Sequence, residues 1–309
     1  MGGLKRRAFT LIELLVVIAI IGILSALIVV GMNSTTQKAT IAKAQVFSNS
    51  LRNSLMSNLI SEWKFESGTH TDGQGADAND AKDTWGTNNA TSISGALIKE
   101  GSNCMSSKCL SFDGNDYVDY GTGSSFNFGN GTSDNPFTFN GWFKMADATS
   151  CGFMGRFTNP SYQYSFYSGS TDKLTFILYD ADSSNYIARR SVAVTNYENQ
   201  WINLVATYDG LGITGMRIYL NGVRVDSADL TSGSYTAMEL LSVNNYVGAG
   251  GGYMNGQIDE VRVFNAAIPT SQIEQMYFAG INKLFAKNQI NQIDYRQRLT
   301  QLSNNFAKQ

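Results

Sequence analysis

An oxygen-rich stretch over residues 72–89 holds the residue types that bind a hard metal ion. Its carboxylate and amide side chains include Asp72, Asp77, Asp80, Asp83, Asn88 and Asn89. Calcium takes about six to eight oxygen ligands around one point, so the stretch predicts a calcium site. It does not fit an EF-hand, because Lys82 stands where that loop needs a glycine after Asp77. The alternative interpretation is a solvated loop rich in turns.

The histidine and cysteine inventory limits other kinds of site. His70 is the single histidine, which argues against most hydrolytic triads and against histidine-rich metal sites. The three cysteines lack the spacing of zinc ligands. Cys104 and Cys109 form a short-loop disulfide if the domain is extracytoplasmic, and two free thiols are the alternative. Cys151 is then left over, and we expect it to be buried as a small hydrophobe.

The charge balance argues against nucleic acid as the main partner. Charged residues make up 16% of the 309-residue chain, and the formal net charge is -2. Aromatic residues at 12%, with 30 glycines and 3 prolines, indicate a β-rich globular body with many tight turns.

The N-terminal segment combines basic residues with a long apolar run. Lys5, Arg6 and Arg7 precede apolar residues 9–30, which are long enough to cross a bilayer as a helix. An ordinary secretory signal is shorter and ends at a small-residue cleavage site. A plain membrane anchor leaves Glu13 unexplained, because a carboxylate in lipid is costly and usually functional.

Residues 7–15, Arg-Ala-Phe-Thr-Leu-Ile-Glu-Leu-Leu, closely resemble the start of type IV prepilins. The resemblance implies that a prepilin peptidase cuts between Ala8 and Phe9 and that the new terminus at Phe9 is N-methylated. It also implies that Glu13 pairs with the terminal amine of a neighbouring subunit, since a buried charge is tolerated only when paired. Two departures are Ala8, where the family usually has glycine, and the lack of a proline in the apolar run.

The resemblance and the apolar pattern together predict the organisation of the N-terminal part. Residues 1–8 are the leader, and residues 9–61 form one long transmembrane and filament-core helix. Its second half has apolar residues at helical spacing: Ile41, Ala44, Phe47, Leu51, Leu55 and Leu59. The implied location is the bacterial cytoplasmic (inner) membrane before assembly and a cell-surface filament afterwards.

Residues 62–268 show the alternation of β-strands. It is clear over residues 137–143 and 201–208, and Asn221-Gly222 is a two-residue hairpin turn. Four pieces, near residues 62–66, 110–118, 201–225 and 256–265, resemble the LamG-like, concanavalin A-like jelly-roll family in order and spacing. The fold class is therefore mainly β with helical ends, built on an antiparallel two-sheet sandwich.

The LamG-like resemblance also narrows the calcium hypothesis and raises an enzymatic one. It implies a calcium ion held by Asp83, Asn88 and Asp259. The same fold hosts glucanases, which need carboxylates on alternate residues of one strand. Gln257 stands where their nucleophile belongs, and neither Val261 nor Arg262 can be their acid. We therefore expect no catalysis, and no cofactor other than calcium.

Five aromatic residues of the predicted strands have two interpretations: they either stack on sugars or fill the core. They are Tyr162, Tyr164, Phe166, Tyr179 and Tyr186.

Residues 269–309 are predicted to form a helical hairpin, with Ser271 and Glu274 as a capping box and a second helix near Asn291. The hairpin is either a packing appendage or a protein-docking element.

The hypothesis for the whole chain is a type IV pilin-like structural subunit that displays a LamG-like domain for adhesion or glycan or protein binding. Its expected partners are the membrane, the prepilin peptidase, other pilin subunits and an extracellular glycan or protein. One alternative is a membrane-anchored surface binding protein that does not polymerise. Another is a pseudopilin of a type II-like secretion or DNA-uptake machine.

Overall fold

A computed structural model describes residues 56–306, which lie within one compact unit, Ser48–Gln309. Two antiparallel sheets form a sandwich, and two helices follow it. This confirms the predicted fold class, mainly β with a jelly-roll sandwich and a C-terminal helical hairpin. The leader and most of the predicted N-terminal helix lie outside the described residues.

The described residues contain sixteen strands, and the longest connection, residues 64–91, lies between the first strand and the second. They are β1 (Leu59–Trp63), β2 (Ser92–Ser94), β3 (Leu97–Glu100), β4 (Lys108–Asp113), β5 (Tyr117–Asp119), β6 (Phe137–Met145), β7 (Gly152–Thr158), β8 (Ser161–Ser168), β9 (Lys173–Tyr179), β10 (Tyr186–Ala193), β11 (Ile202–Tyr208), β12 (Met216–Leu220), β13 (Val223–Arg224), β14 (Asp226–Ser232), β15 (Asn244–Val247) and β16 (Asn255–Phe264). The first sheet has the order β13-β12-β11-β6-β16-β4-β3, and β1 pairs with β16. The second sheet has the order β14-β10-β9-β8-β7-β15-β5-β2.

The core lies between the two sheets because the strands alternate as the sequence predicts. In β6, Phe137, Phe139 and Phe143 are buried in this core, whereas Trp142 belongs to a second cluster beneath the helices. The predicted hairpin is also confirmed: Asn221 and Gly222 have φ of 53° and 78° between β12 and β13. Positive φ at both positions matches the twist of the flanking strands.

The end of the predicted N-terminal helix is a correction. Met56–Asn58 form a 3₁₀ turn, and residues 59–61 belong to β1 rather than to a helix over residues 9–61. Leu59 pairs with Phe264 and Trp63 with Val261, so this segment forms a ladder with residues 261–264 of β16. Burial of Trp63 in the core and the ladder hydrogen bonds outweigh the helical spacing of Leu59.

Two helices, α1 (Thr270–Ala286) and α2 (Gln292–Phe306), form the expected hairpin. The predicted capping box is wrong. The residue at the N-cap is Pro269, which has no N–H for a glutamate to bind, and Glu274 is instead buried. At α2, Asn291 accepts the backbone N–H groups of Ile293 and Asp294 at 2.8 and 2.9 Å, as an N-cap does.

Candidate functional site

The processing residues Ala8, Phe9 and Glu13 lie outside the described residues. Among residues 56–306, no helix is long and apolar enough to cross a membrane.

Asp83 closes a tight turn with its carboxylate. Its Oδ1 accepts the backbone N–H groups of Glu62, Trp85 and Gly86 at 2.9 to 3.0 Å, and its Oδ2 accepts that of Asn88 at 3.1 Å. Four backbone donors satisfy both oxygens and tie the turn to β1. The structure therefore brings Asp83 and Asn88 together, in the arrangement of a capped turn.

Asp259 lies in a different network. Its Oδ2 accepts the Ser106 N–H at 2.9 Å and its Oδ1 accepts the Glu260 N–H at 2.7 Å, so it shares no hydrogen-bond partner with Asp83. Burial, and the neighbouring Glu260 charge, raise the pKa of the Asp259 carboxyl well above its usual range. A calcium ion shared by Asp83, Asn88 and Asp259 stays a prediction.

The carboxylates of β16 join the first sheet to α1. Glu260 contacts Lys283 of α1, and Arg262 lies 3.3 Å from Glu260 and 2.9 Å from Glu62. Burial alone raises the pKa of Glu260, but the charges of Lys283 and Arg262 outweigh it and lower the pKa below its usual range. These side chains are engaged in ion pairs beneath a helix.

The Cys104–Cys109 disulfide is present, with Cα atoms 5.4 Å apart, and Cys151 is a buried free thiol. The loop between the bonded cysteines contacts the C-terminal end of α1. Lys287 donates to the Ser106 carbonyl, and Gln289 donates to the Cys104 carbonyl. The disulfide loop, residues 104–109, therefore holds the helices against the first sheet.

Three side chains of the oxygen-rich stretch and its flank come together. The ligand atoms of His70, Asp77 and Asp80 all lie within 4.8 Å of one another, and His70 Nδ1 is 2.8 Å from Asp80 Oδ2. The Lys108 ammonium donates to the His70 carbonyl at 2.6 Å, so a positive charge already lies beside this group.

The outer face of the second sheet carries a row of aromatic rings, which we call the aromatic band. Its members are Tyr253, Tyr117, Tyr246, Phe157, Tyr162, Tyr179 and Tyr186, in spatial order. Neighbouring ring centroids are 5.0 to 6.2 Å apart along this row. Six of the rings lie on six neighbouring strands of the second sheet, in the order β5, β15, β7, β8, β9 and β10. All seven rings are half-buried or exposed.

The five aromatic residues singled out in the sequence fall into two groups, one in the core and one in the aromatic band. Tyr164 and Phe166 are core residues, each 2% exposed, whereas Tyr162, Tyr179 and Tyr186 belong to the band. The register shifts at β7, where Arg156 pairs with Tyr164 but Phe157 pairs with Tyr162. The extra residue on β8 turns Tyr162 away from the face of Tyr164.

Four band members were missed by the sequence analysis: Tyr117, Phe157, Tyr246 and Tyr253. For two of them the sequence does hold a signal of the outward face, which is alternation in a short strand. Tyr117 precedes the fully buried Val118, and Tyr246 precedes the fully buried Val247. Polar side chains lie beside the rings: Asn244 Nδ2 donates to Asp119 Oδ2 at 2.7 Å.

Two family models match the chain. One, described as the concanavalin A-like lectin/glucanases superfamily, matches residues 112–274, more than half of the chain. The other, described as a prokaryotic N-terminal methylation motif, matches residues 3–29. No curated protein matches the chain significantly.

Solved structures share the fold at low identity. Domain 4 of AbnA, a GH43 extracellular arabinanase from Geobacillus stearothermophilus solved with arabinotriose, has a TM-score of 0.51 at 17% identity, covering 71% of this chain and 98% of that domain. The binding domain of Paraclostridial Mosquitocidal Protein 1 has a TM-score of 0.53 at 15% identity, over 74% of this chain and 53% of that one.

A structure of botulinum neurotoxin type C, described as dependent on two ganglioside molecules for cell entry, has a TM-score of 0.52 at 14% identity, over 74% of this chain and 53% of that one. This chain thus spans about half of the two toxin structures. The family match and the sandwich agree, and the chain belongs to the concanavalin A-like lectin/glucanase superfamily, with a type IV pilin-like methylation motif at its N-terminus.

Proposed function

We propose that this chain is a type IV pilin-like subunit that carries a binding domain to the cell surface. The observation behind it is the order of the two family matches in one chain: the methylation motif at residues 3–29 precedes the lectin-type domain at residues 112–274. Processing after Ala8 gives a membrane helix that begins at Phe9. Subunits then assemble through that helix, and the jelly-roll domain lies outside the cell.

The disulfide supports an extracytoplasmic location for the domain. Cys104 and Cys109 are bonded, and such bonds persist in oxidising compartments. Export by a pilin-type route delivers the domain to such a compartment.

Binding, rather than catalysis, is the proposed role of the jelly-roll domain. The carboxylates of β16 are engaged: Glu260 contacts Lys283 and Arg262, and Asp259 is fully buried. A glycosidase needs two carboxyl groups that reach its substrate. By analogy of fold, the arabinotriose complex and the ganglioside-dependent toxin point to a glycan as the partner.

Mass spectrometry of the mature protein tests the processing step. The full chain, expressed with a prepilin peptidase and recovered from the cell surface, should begin at Phe9 with a methylated amine. Retention of Met1, or a cut after the apolar run, would exclude the pilin-like route. An Ala8→Glu variant serves as the uncut control, because a large charged residue replaces the small one at the cut.

A further inference from the structure

We propose that the aromatic band is a platform on which an extended, neutral polysaccharide chain lies across the strands of the second sheet. This inference rests on the proposed role as an extracellular binding domain and names its ligand class and its site.

The ring at the centre of the band lies close to the sheet backbone. A Cβ added at Gly155 would come within 2.7 Å of Phe157 Cε1 and 2.9 Å of its Cδ1, so the ring lies over residue 155. Phe157 is half-buried, so part of its ring is accessible to a ligand. Glycine at 155 is what permits this close placement.

Neighbouring rings continue the platform in both directions. Phe157 and Tyr162 are nearly parallel, with 19° between their planes. Tyr117 stands almost perpendicular to Tyr246, at 84°, and the other neighbouring planes differ by 35° to 67°, so the rings line the band at varied angles. Six adjacent strands, about 4.8 Å apart, give the platform a length of roughly 24 Å.

Sugar rings fit this surface for a chemical reason. A pyranose or furanose ring presents C–H groups on its face and hydroxyl groups at its edge. The electron-rich faces of Tyr and Phe attract such C–H groups, and tyrosine adds a hydroxyl at its rim. Asn244, which pairs with Phe157 across the strands, and Asp119, which pairs with Tyr246, place polar groups where sugar hydroxyls would lie.

The composition of the band favours a neutral glycan over other partners. It has no charged member, and Asp119 and Arg190, which lie on the same face of the sheet, carry opposite charges, so a polyanion gains no net attraction there. Protein hot spots are also rich in tyrosine, but they combine it with tryptophan and arginine in well-packed pockets, and the band contains neither tryptophan nor arginine. The most exposed aliphatic residues of the described part, Leu211, Leu240 and Ile293, lie outside the band.

Binding to immobilised polysaccharides tests the proposal. The full chain, purified in detergent, is applied to arabinan, xylan, mannan and β-glucan, with polygalacturonate and heparin as anionic counterparts. We expect binding to at least one neutral polysaccharide. Phe157→Ala and Tyr162→Ala should each weaken that binding by roughly tenfold or more, because each removes one stacked ring.

Two matched variants separate stacking from general damage. Tyr162→Phe keeps the ring and should bind within about twofold of the wild type, as should Trp85→Ala, which removes an exposed aromatic outside the band. If Phe157→Ala fails to fold, Tyr253→Ala at the exposed end of the band replaces it. Binding to no neutral polysaccharide, binding only to the anionic ones, or affinity unchanged by the band variants would overturn the proposal.

The test of polysaccharide binding and the test of the subunit role can fail independently of each other. A chain that binds a neutral polysaccharide but never begins at Phe9 contradicts the proposed function and keeps this inference. A processed surface subunit whose purified form binds none of these polysaccharides keeps the proposed function and loses the inference.

Discussion

The indole ring of Trp142 lies directly against Gly280 of α1, so that an added Cβ would come within 1.9 Å of ring atom Cζ2. Trp142 points out of the first sheet, and Tyr277, one turn earlier in α1, stacks on the same ring with centroids 5.9 Å apart. Close approach of helix to sheet therefore depends on a residue without a side chain at 280.

Gly280→Ala should destabilise the protein. Alanine favours a helix over glycine by about 1 kcal/mol, but the clash with Trp142 forces a shift of the kind that costs about 1–3 kcal/mol. We expect a lower melting temperature for the full chain. Gly75→Ala, where an added Cβ meets nothing within 4 Å, is the matched control. A melting temperature equal to or above that of the wild type would contradict the tight contact.

Loss of the Cys104–Cys109 bond should loosen the C-terminal helices. The Cys104→Ser, Cys109→Ser double variant loses about 2 kcal/mol of stability from its short loop. The carbonyls of residues 104 and 106, which accept from Gln289 and Lys287, lose their fixed positions. Urea unfolding measures the first effect, and hydrogen exchange in α1 measures the second. Cys151→Ala is the control, since it keeps the disulfide; equal exchange in all three proteins would argue against this role of the loop.

Glu62 should make stability depend on pH in the acid range. Burial opposes ionisation, but Arg262 and Lys64 lower the pKa of Glu62 to about 2, from an ordinary value of 4.5. The folded-state pKa is the lower one, so its contribution is present above about pH 4.5 and is lost as pH falls toward 2. The contribution is about 3 kcal/mol.

Urea unfolding across this pH range, on wild type and Glu62→Gln, measures the effect. The difference between the two stabilities should shrink as pH falls from 5 to 2. Glu100→Gln, at a partly exposed carboxylate 3.7 Å from Lys108 Nζ, is the control. If the difference in unfolding free energy between the two proteins stays constant from pH 5 to 2, Glu62 is not the source of the pH dependence.

The calcium hypothesis and the turn hypothesis for Asp83 make opposite predictions. Because four backbone N–H groups already satisfy its carboxylate, we expect the turn hypothesis to hold and the melting temperature to be the same with calcium and with chelator. An ion bound only to the folded state would add about 2.7 kcal/mol at a hundredfold excess over its Kd. If calcium raises the melting temperature of the wild type but not that of Asp259→Asn, the hypothesis of an ion shared by Asp83 and Asp259 is supported.

The sandwich was predictable because its strands carry local signals. Alternation over residues 137–143 and the Asn221-Gly222 turn depend only on neighbouring residues. The aromatic band was not predictable in the same way. Its rings come from strands distant in sequence, and the extra residue beside Tyr162 reverses the face that simple alternation assigns to it.

The capping box failed for a related reason. Ser271 and Glu274 have the right spacing, but the residue at the N-cap is proline, so the backbone donor is missing. A contact with a residue 51 positions earlier in the chain lies at this helix start: the Thr270 hydroxyl is 2.9 Å from the hydroxyl of Tyr219. Such pairings leave no pattern in the local sequence.

The measurement that tests the subunit role most directly is the amount of filament-bound protein for the wild type and for Glu13→Ala. After cleavage, Phe9 carries a new positive amine, and we propose that Glu13 of a neighbouring subunit pairs with it in a medium of low dielectric, where an unpaired carboxylate is costly. Glu13→Ala should insert into the membrane and be cleaved normally, since the segment only becomes more apolar. Its amount in sheared surface filaments should fall sharply below that of the wild type. Equal amounts in filaments, or no wild-type chain in filaments at all, would contradict the account.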